Sequence, residues 1–239
     1  MKLLIFIPAR SGSKGIKNKN LKKLNGKPLI DYTLGISKKI VKKNRNSLIF
    51  VSTDSSKYLK HCRKKGVKFD YLRPRKLAGD KSNIIDAIFH GLKWLEKEKK
   101  LLFDSVLLLQ PTSPLRNFKE TQKFIKIFRK KHTQSLVGVS EMIGHPYNCV
   151  KIKDKSWNFL EIKKKNLFNR QQYKNKKFGY YFVDGSFYAA KIDFLKRYRT
   201  FMKEGKTKLF KLEGRRAPDI DYNIDFEITK LYSKKLNYF

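Results

Sequence analysis

Residues 3–15 read LLIFIPARSGSKG, and this stretch decides the fold. The unbroken apolar run at 3–7 is typical of a strand that is buried on both faces, as in a parallel sheet. The loop that follows holds two glycines and two serines, so its backbone N–H groups can approach an anion closely. Ligands of open parallel sheets bind at the carboxyl ends of the strands. The loop, with the charges of Arg10, Lys14 and Lys19, is therefore predicted to bind phosphate groups, although its spacing is neither that of a Walker A loop nor GxGxxG.

Strand and helix patterns alternate through the rest of the first half. Pro28 suits the first turn of a helix, and Ser82 can cap another. The predicted strands lie at 48–52, 105–109 and 135–139, and the predicted helices at 28–42, 55–64, 82–99 and 117–130. This order predicts a mostly parallel α/β sheet with helices on both faces.

The second half is predicted to complete the same single domain, 1–239, after an insertion. Residues 141–182 show short strand patterns, a run of lysines and weak helix signals, and we interpret them as an inserted arm. Strands at 183–190 and 209–212 and a closing helix at 224–236 follow. An irregular insertion is not easily buried by a lone domain, so we expect the arm to cross to a second copy in a homodimer.

The composition gives a formal net charge of 57 − 20 = +37, carried by 45 Lys and 12 Arg. Such a charge attracts anionic partners, but the basic residues lie along nearly the whole chain, and we attribute them instead to a compositional bias towards Lys, Asn, Ile and Phe. No specific nucleic-acid or membrane partner is expected. Apolar residues make up 40% of the chain, enough for a packed core, and no apolar run nears the ~18 residues that cross a bilayer. Two cysteines and the absence of a signal-peptide pattern favour the cytoplasm.

Three acids cluster near the end of the chain. Asp219 and Asp221 are separated by one residue, so in an extended segment their carboxylates lie on the same side. Such a pair suits Mg²⁺, with Mn²⁺ as an alternative, held together with substrate phosphates. Asp225 lies at a predicted helix start and is expected to cap that helix instead.

Two further polar runs are candidates for a ligand site. QPTSPLR at 110–116 directly follows a predicted strand, where an ordinary strand-to-helix turn is the alternative interpretation. The second run is RQQ at 170–172, followed by DGSFY at 184–188. Its Arg170 is able to clamp a carboxylate bidentately. The four histidines have no metal-ligand spacing, and neither Cys62 nor Cys149 lies in a nucleophile motif.

Taken together, these motifs resemble the acylneuraminate cytidylyltransferases, the CMP-nonulosonic acid synthetases. The resemblance spans nearly the whole chain in the right order. It rests on IPARSGSKGIKNKNLKKLNGKPLI at 7–30, AGDKS at 78–82 with Asp86 and His90, LLLQPTSPLR at 107–116, RQQ at 170–172, and Asp219, Asp221 and Asp225.

The resemblance implies a nucleotide-diphosphosugar-transferase-like, Rossmann-like α/β fold with an inserted dimerisation arm. It implies that CTP and a metal ion are used, and that the anomeric hydroxyl of an acidic nine-carbon sugar attacks the α-phosphate while pyrophosphate leaves. The matching nucleotide-binding positions are Arg10, Ser13, Lys14, Lys19, Asn20 and Ser82. The matching sugar-binding positions are Gln110, Tyr188 and Arg170, the last reaching the neighbouring site of the dimer. Asp219 and Asp221 match the metal-binding pair, and Arg10, Lys14, Lys19 and Asp221 are the expected catalytic residues.

The chain departs from the family pattern in the sugar half of the site. The family usually has Asn-Gly where this chain has Asp184-Gly185, Asn148 replaces a basic residue found in some members, and the segment between Arg170 and Asp184 is longer. The acceptor, sialic acid or a legionaminic- or pseudaminic-type relative, stays open. The alternatives are a cytidylyltransferase for another acidic sugar such as a 3-deoxy-octulosonate, and a basic nucleic-acid-binding protein.

Overall fold

The structure is a computed structural model that describes residues 1–13, 15–142, 146, 149–153, 156–159, 179–213 and 218–235. The strands are β1 (Leu3–Pro8), β2 (Lys23–Leu24), β3 (Lys27–Pro28), β4 (Ser47–Ser52), β5 (Ser105–Leu108), β6 (Ser135–Glu141), β7 (Val150–Lys153), β8 (Ser156–Phe159), β9 (Tyr181–Lys191) and β10 (Lys208–Lys211). The helices are α1 (Leu29–Lys43), α2 (Ser56–Lys64), α3 (Ile84–Lys99), α4 (Phe118–Phe128), α5 (Ile192–Tyr198) and α6 (Asn223–Lys235). Two 3₁₀ turns lie at Lys19–Leu21 and Arg75–Leu77.

Six strands form the central sheet in the order β10-β6-β9-β5-β1-β4. β1 pairs in parallel with β4 and β5, and β10 pairs in parallel with β6. β9 runs antiparallel to both of its neighbours. The predicted mostly parallel α/β sheet is thus confirmed, with one reversed strand inside it.

The strand order reverses direction at β1. The chain leaves β1 through α1 to reach β4 on one side, and later enters β5 on the other side. Diverging connections open a crevice at the carboxyl ends of the central strands, which is where such sheets bind ligands. The glycine-containing loop after β1 lies at this point.

Alternate residues of β1 face two separate cores. Leu3, Ile5 and Ile7 are fully buried with apolar residues of α1, α2 and α4. Leu4 and Phe6 are fully buried with residues of α3 and α5. Because both faces are covered, the strand reads as an unbroken apolar run, as expected for the middle strand of a parallel sheet.

A third, smaller core joins two parts of the chain that are far apart in sequence. Ile16, just after the loop, packs in one buried cluster with Ile220, which lies between the two acids. Leu24, Leu29, Tyr32 and Phe226 complete this cluster. The apolar contact therefore brings the predicted phosphate loop beside the predicted metal pair.

Element bounds agree with the sequence predictions within a few residues, except that one helix cap was wrong and that the short strands β2 and β3 were not predicted. The cap of α3 is Asn83, whose Oδ1 accepts the Ile85 N–H at 2.9 Å, whereas Ser82 Oγ donates to the Lys76 carbonyl. The prediction of Ser82 as cap was wrong because Asn83, an equally good capping residue, lies one position closer to the helix. The short helix α5 was not predicted.

The described part of the predicted arm contains the antiparallel hairpin β7–β8. Within the described ranges, no helix is both long and apolar enough to cross a membrane.

Candidate functional site

A cavity of about 460 Å³ opens at the carboxyl ends of β1 and β5. Four segments wall it: the loop after β1, the stretch from Arg73 to the start of α3, the loop after β5, and the segment before α6. Its lining residues include most of the positions that the sequence singled out, namely Arg10, Ser13, Lys19, Asn20, Ser82, Gln110, Asp219 and Asp221. These positions span more than 200 residues of sequence and meet at one crevice.

Two cations of the phosphate loop, residues 10–20, line this cavity, and each is paired with an acid. Arg10 Nη1 lies 2.7 Å from Asp80 Oδ1 across the cavity mouth. The ammonium group of Lys19 donates to Asp221 Oδ1 at 3.0 Å and to the Ile220 carbonyl at 2.7 Å. Both cations thus have acidic partners that a phosphate group would have to replace. Lys14 lies outside the described residues.

Asn20 holds the backbone of the phosphate loop in place. Its side chain is 4% exposed, and its amide nitrogen donates to the Arg10 carbonyl at 3.0 Å. Although Asn20 lines the cavity, this bond makes it a residue that fixes the loop backbone.

The two acids differ in their surroundings. Asp219 is partly buried and accepts a hydrogen bond from Ser113 Oγ at 2.8 Å, whereas Asp221 is exposed. Burial, together with the charge of Asp221, raises the pKa of Asp219 above its usual range, against the effects of Thr112, Ser113 and Arg116. Because the two carboxylates repel each other, a cation bound between them would be stabilised.

Two glycines allow the close approach of backbone to the acid segment. A Cβ on Gly15 would overlap the backbone carbonyl of Asp221. Gly185 has φ +81°, and a Cβ there would lie 3.0 Å from the Asp219 carboxyl carbon. The phosphate loop and β9 therefore pack directly against the Asp219–Asp221 segment.

Asp225 acts as the sequence predicted, but from the third position of its helix. Its Oδ2 accepts the backbone N–H groups of Asp221 at 3.0 Å and of Tyr222 at 2.8 Å. Reaching back over the helix start satisfies donors that the helix itself leaves free. The same bonds hold the backbone of Asp221 in place.

The residues predicted to bind sugar are only partly assembled at this cavity. Gln110 lines it, at the end of β5. Tyr188 is not among its lining residues; it packs on Phe201 with ring centroids 5.7 Å apart. Burial first, then the charges of Asp219 and Asp184, raise the pKa of Tyr188 to about 12, which places it near the acids. Arg170 lies outside the described residues.

Asp184, which stands where the resemblance implies Asn, has its carboxylate turned into the protein. It is 7% exposed, and its two oxygens accept hydrogen bonds from Ser140 Oγ at 2.6 Å and from Ser186 Oγ at 2.7 Å. The Ser186 N–H also donates to it, at 2.9 Å. These hydrogen bonds occupy both carboxylate oxygens, so the acid links β6 to β9. Asn148 lies outside the described residues.

Sequence reasoning missed Arg73, the most buried cation of the cavity. It is 5% exposed, and none of the described residues accepts a hydrogen bond from its Nε or Nη2. Burial lowers the pKa of Arg73 below its usual value, with Asp54 and Tyr71 acting in the opposite direction. Two buried guanidinium nitrogens without an acceptor in a cavity wall are costly unless a ligand or water supplies one.

Arg116, the last residue of the QPTSPLR run, organises the loop after β5. Its guanidinium donates to the carbonyls of Gln110 at 2.7 Å, Ser113 at 2.6 Å and Ser186 at 2.6 Å. One buried side chain therefore fixes the loop that carries Gln110 and Ser113 onto β9.

Comparison with known proteins identifies the family. The family model described as Cytidylyltransferase matches residues 4–238. A Legionella pneumophila protein named CMP-N,N'-diacetyllegionaminic acid synthase is 32% identical over 96% of this chain and 95% of its own. The flagellin modification protein B of Campylobacter coli is 30% identical over 98% and 96%. An N-acylneuraminate cytidylyltransferase of Streptococcus agalactiae is 27% identical over 95% of this chain and 52% of its own.

The solved structures with this fold include a CMP:2-keto-3-deoxy-manno-octonic acid synthetase complexed with CTP, with a TM-score of 0.67 and 16% identity over 99% of this chain and all of that one. A cytidylyltransferase from Leptospira borgpetersenii gives a TM-score of 0.59 and 15% identity over all of this chain and 88% of that one. Fold, cavity and the match along almost the whole sequence lead to one conclusion: the chain belongs to the cytidylyltransferase family.

Proposed function

We propose that this protein transfers the cytidylyl group of CTP to a nonulosonic acid, giving a CMP-sugar and pyrophosphate. The observation that carries the proposal is the cavity in which Arg10, Lys19 and Arg73 face the pair Asp219 and Asp221. Three cations beside two acids suit a nucleoside triphosphate that arrives with a metal ion. The relatives named for legionaminic acid and N-acylneuraminate support this class of acceptor.

The charge arrangement supports displacement at the α-phosphate. In this reaction the sugar hydroxyl gives up its proton to water and its oxygen forms a bond to the α-phosphorus. The bond between that phosphorus and the oxygen that bridges to the β-phosphate breaks, and pyrophosphate leaves with this oxygen. Negative charge then grows on the departing pyrophosphate, where fixed cations stabilise it without reorganising. Arg10 would exchange Asp80 for a phosphate oxygen, and Lys19 would exchange Asp221 in the same way.

The acid pair fits Mg²⁺, with Mn²⁺ as an alternative. Within the described part of the chain there is no group of three or more His, Cys, Asp or Glu that could hold a metal alone. Two carboxylates suit an ion that takes its remaining ligands from water and substrate phosphates. The raised pKa of Asp219 fits this role, because a cation favours its ionised form. A bound Mg²⁺ would neutralise phosphate charge during the transfer.

The acceptor would lie on the Gln110 side of the cavity, towards Tyr188. Because Asp184 is buried and hydrogen-bonded to Ser140 and Ser186, its charge does not stand in the cavity against a sugar carboxylate. The likeness to a 2-keto-3-deoxy-manno-octonic acid synthetase is one of fold alone, and it does not favour that acceptor.

Our proposal includes a homodimer in the cytoplasm, with the arm at 141–182 crossing to the partner and Arg170 acting there. The resemblance of the RQQ run at 170–172 to the family pattern supports it.

Pyrophosphate release tests the proposed function directly. CTP, ATP and GTP are each incubated with the enzyme, Mg²⁺ and a panel of nonulosonic acids, with a 3-deoxy-octulosonate as comparison. We expect release from CTP only, and only with a nonulosonic acid. Equal release from ATP or GTP, or none with any acid sugar, would show that the proposal is wrong.

A further inference from the structure

Asp54 lies just beyond the carboxyl end of β4, outside the lining of the cavity, and both of its carboxylate oxygens are bound to one residue of the phosphate loop. The Ser11 N–H donates to Oδ1 at 2.8 Å, and Ser11 Oγ donates to Oδ2 at 2.8 Å. Hydrogen bonds to an ionised carboxylate are shorter and stronger than those between neutral groups. The start of the phosphate loop is thus clamped to the end of β4.

The same segment is joined to the strand-like stretch that carries Arg73. Thr53 and Leu72 form a parallel bridge, and the Arg73 N–H donates to the Thr53 carbonyl at 2.7 Å. Residues 53–54 therefore stand between the phosphate loop on one side and Arg73 on the other.

Charge supports the same arrangement. Burial acts to raise the pKa of Asp54, but the hydrogen bonds from Ser11 and the charge of Arg73 outweigh it and leave the pKa below its usual value. In return, Asp54 favours the protonated form of Arg73 against burial and against the charge of Arg10. The carboxylate is thus maintained as an anion between two cation-bearing parts of the cavity.

We propose that Asp54 is a positioning residue that holds the phosphate loop, through Ser11, at a fixed spacing from Arg73 so that both engage one nucleotide. Asp54 itself touches no substrate. This inference rests on the proposed function and deepens it, because it adds a residue on which binding of CTP depends.

The test is calorimetric measurement of CTP affinity for wild type, Asp54→Asn, Ser11→Ala and the double variant. Asp54→Asn removes the charge with little change in shape, and we expect the dissociation constant to rise about 10-fold or more. Ser11→Ala keeps the backbone bond and should weaken binding about 2- to 5-fold. The double variant should be no weaker than Asp54→Asn alone, because the two residues share one contact.

Asp70→Asn is the matched control. Asp70 is exposed, pairs with Arg63 at 3.0 Å and precedes Arg73 by three residues, so the same change there should leave CTP affinity within about twofold. Melting temperatures show whether each variant is folded under the conditions of the titration. If Asp54→Asn does not fold, Ser11→Ala decides: unchanged affinity there overturns the inference.

The outcomes separate the inference from the proposed function. Wild type that binds no CTP would overturn the proposed function, and this inference with it. Wild-type affinity retained in folded Asp54→Asn would overturn the inference alone. Strictly additive effects of Ser11→Ala and Asp54→Asn would also overturn it, since a shared contact requires coupling.

Discussion

Arg73 is the cavity residue that most needs an anionic partner, because it is buried and two of its nitrogens lack an acceptor. Replacing it with Ala should raise the KM for CTP by about 10- to 100-fold, because a charge-assisted contact to the nucleotide is lost. Steady-state kinetics at fixed Mg²⁺ measure this change. Arg75→Ala is the control, since Arg75 is exposed on the neighbouring 3₁₀ turn and should leave KM unchanged. An unchanged KM in Arg73→Ala would remove Arg73 from the site.

The ionised carboxylate of Asp219 lowers the stability of the folded protein. Because its pKa is raised in the folded state, its ionised form costs stability, and that cost sets in as the pH rises from the ordinary carboxyl value of 3.8 through the folded pKa. Asp219→Asn should therefore melt about 2 °C or more above wild type at pH 7. The difference should shrink towards pH 4.

Thermal melts of the two proteins without added metal, across this pH range, measure the effect. Asp219→Asn should at the same time lose activity, with partial recovery at high Mg²⁺, because water can replace a lost ligand. A variant that melts below wild type at every pH would contradict the assigned cost of the buried charge.

The contrast between Arg10 and Arg73 shows how far a sequence predicts single site residues. Arg10 was predicted because a glycine-containing loop directly follows a buried strand, a local pattern with a known geometry. Arg73 has no such pattern, since an arginine beside Pro74 and Arg75 is ordinary in a chain with 57 basic residues. Its role arises from the bridge between Thr53 and Leu72, which only the tertiary structure provides.

Among the elements, the contact between the phosphate loop and the acid segment sets the shape of the cavity. Gly15→Ala should push the two apart, because a Cβ would overlap the Asp221 carbonyl. We expect kcat/KM to fall by roughly 100-fold, the scale seen for displacements of about 1 Å near reacting groups. Gly35→Ala is the control, since Gly35 lies in α1 and the nearest atom to a Cβ there would be the Lys27 ammonium nitrogen, at 4.0 Å. Equal activity of both variants would show that the contact does not matter.

The start of α6 depends on Asp225. Asp225→Ala should lower the free energy of unfolding by about 1 kcal/mol, because two N–H groups lose their acceptor. Urea denaturation measures this loss. The control is Glu227→Ala, which removes an exposed acid from the same helix and should have almost no effect. A stability loss no larger than that of Glu227→Ala would contradict the capping role.

Elements with a clear period were predicted correctly, and the others show why periodicity fails. The helix at Phe118–Phe128 was predicted because its buried Phe124, Ile125 and Phe128 recur at helical spacing. The seven-residue helix α5 was not, since so few residues cannot establish a period. The antiparallel direction of β9 was also unpredictable, because the hydrophobic pattern of a strand does not show which strands it pairs with or whether it runs parallel to them.

At the scale of the whole molecule, the strongly positive net charge contrasts with a cavity that is lined by acids as well as cations. The chain carries a net charge of +37, yet the cavity holds three of its 20 acids, Asp80, Asp219 and Asp221. A site lined only by cations would bind any phosphate group. Beside these acids a phosphate can bind only if a metal ion lies between them or if the phosphate displaces the acids from their cation partners. The local arrangement, and not the overall charge, therefore decides what the protein binds.

The proposed dimer makes Arg170 and Asp221 parts of the same site on different chains. If Arg170 serves the site of a partner, Asp221→Ala and Arg170→Ala should each be inactive alone, the first through its own site and the second through its neighbour's. A heterodimer of the two contains one site with neither defect. Mixing equal amounts, with unfolding and refolding together to exchange subunits, should restore about a quarter of wild-type activity, because half of the dimers are mixed and half of their sites are intact. Light scattering should show dimers throughout. Monomers with full activity, or mixtures as inactive as their parents, would show that each site is complete within one chain.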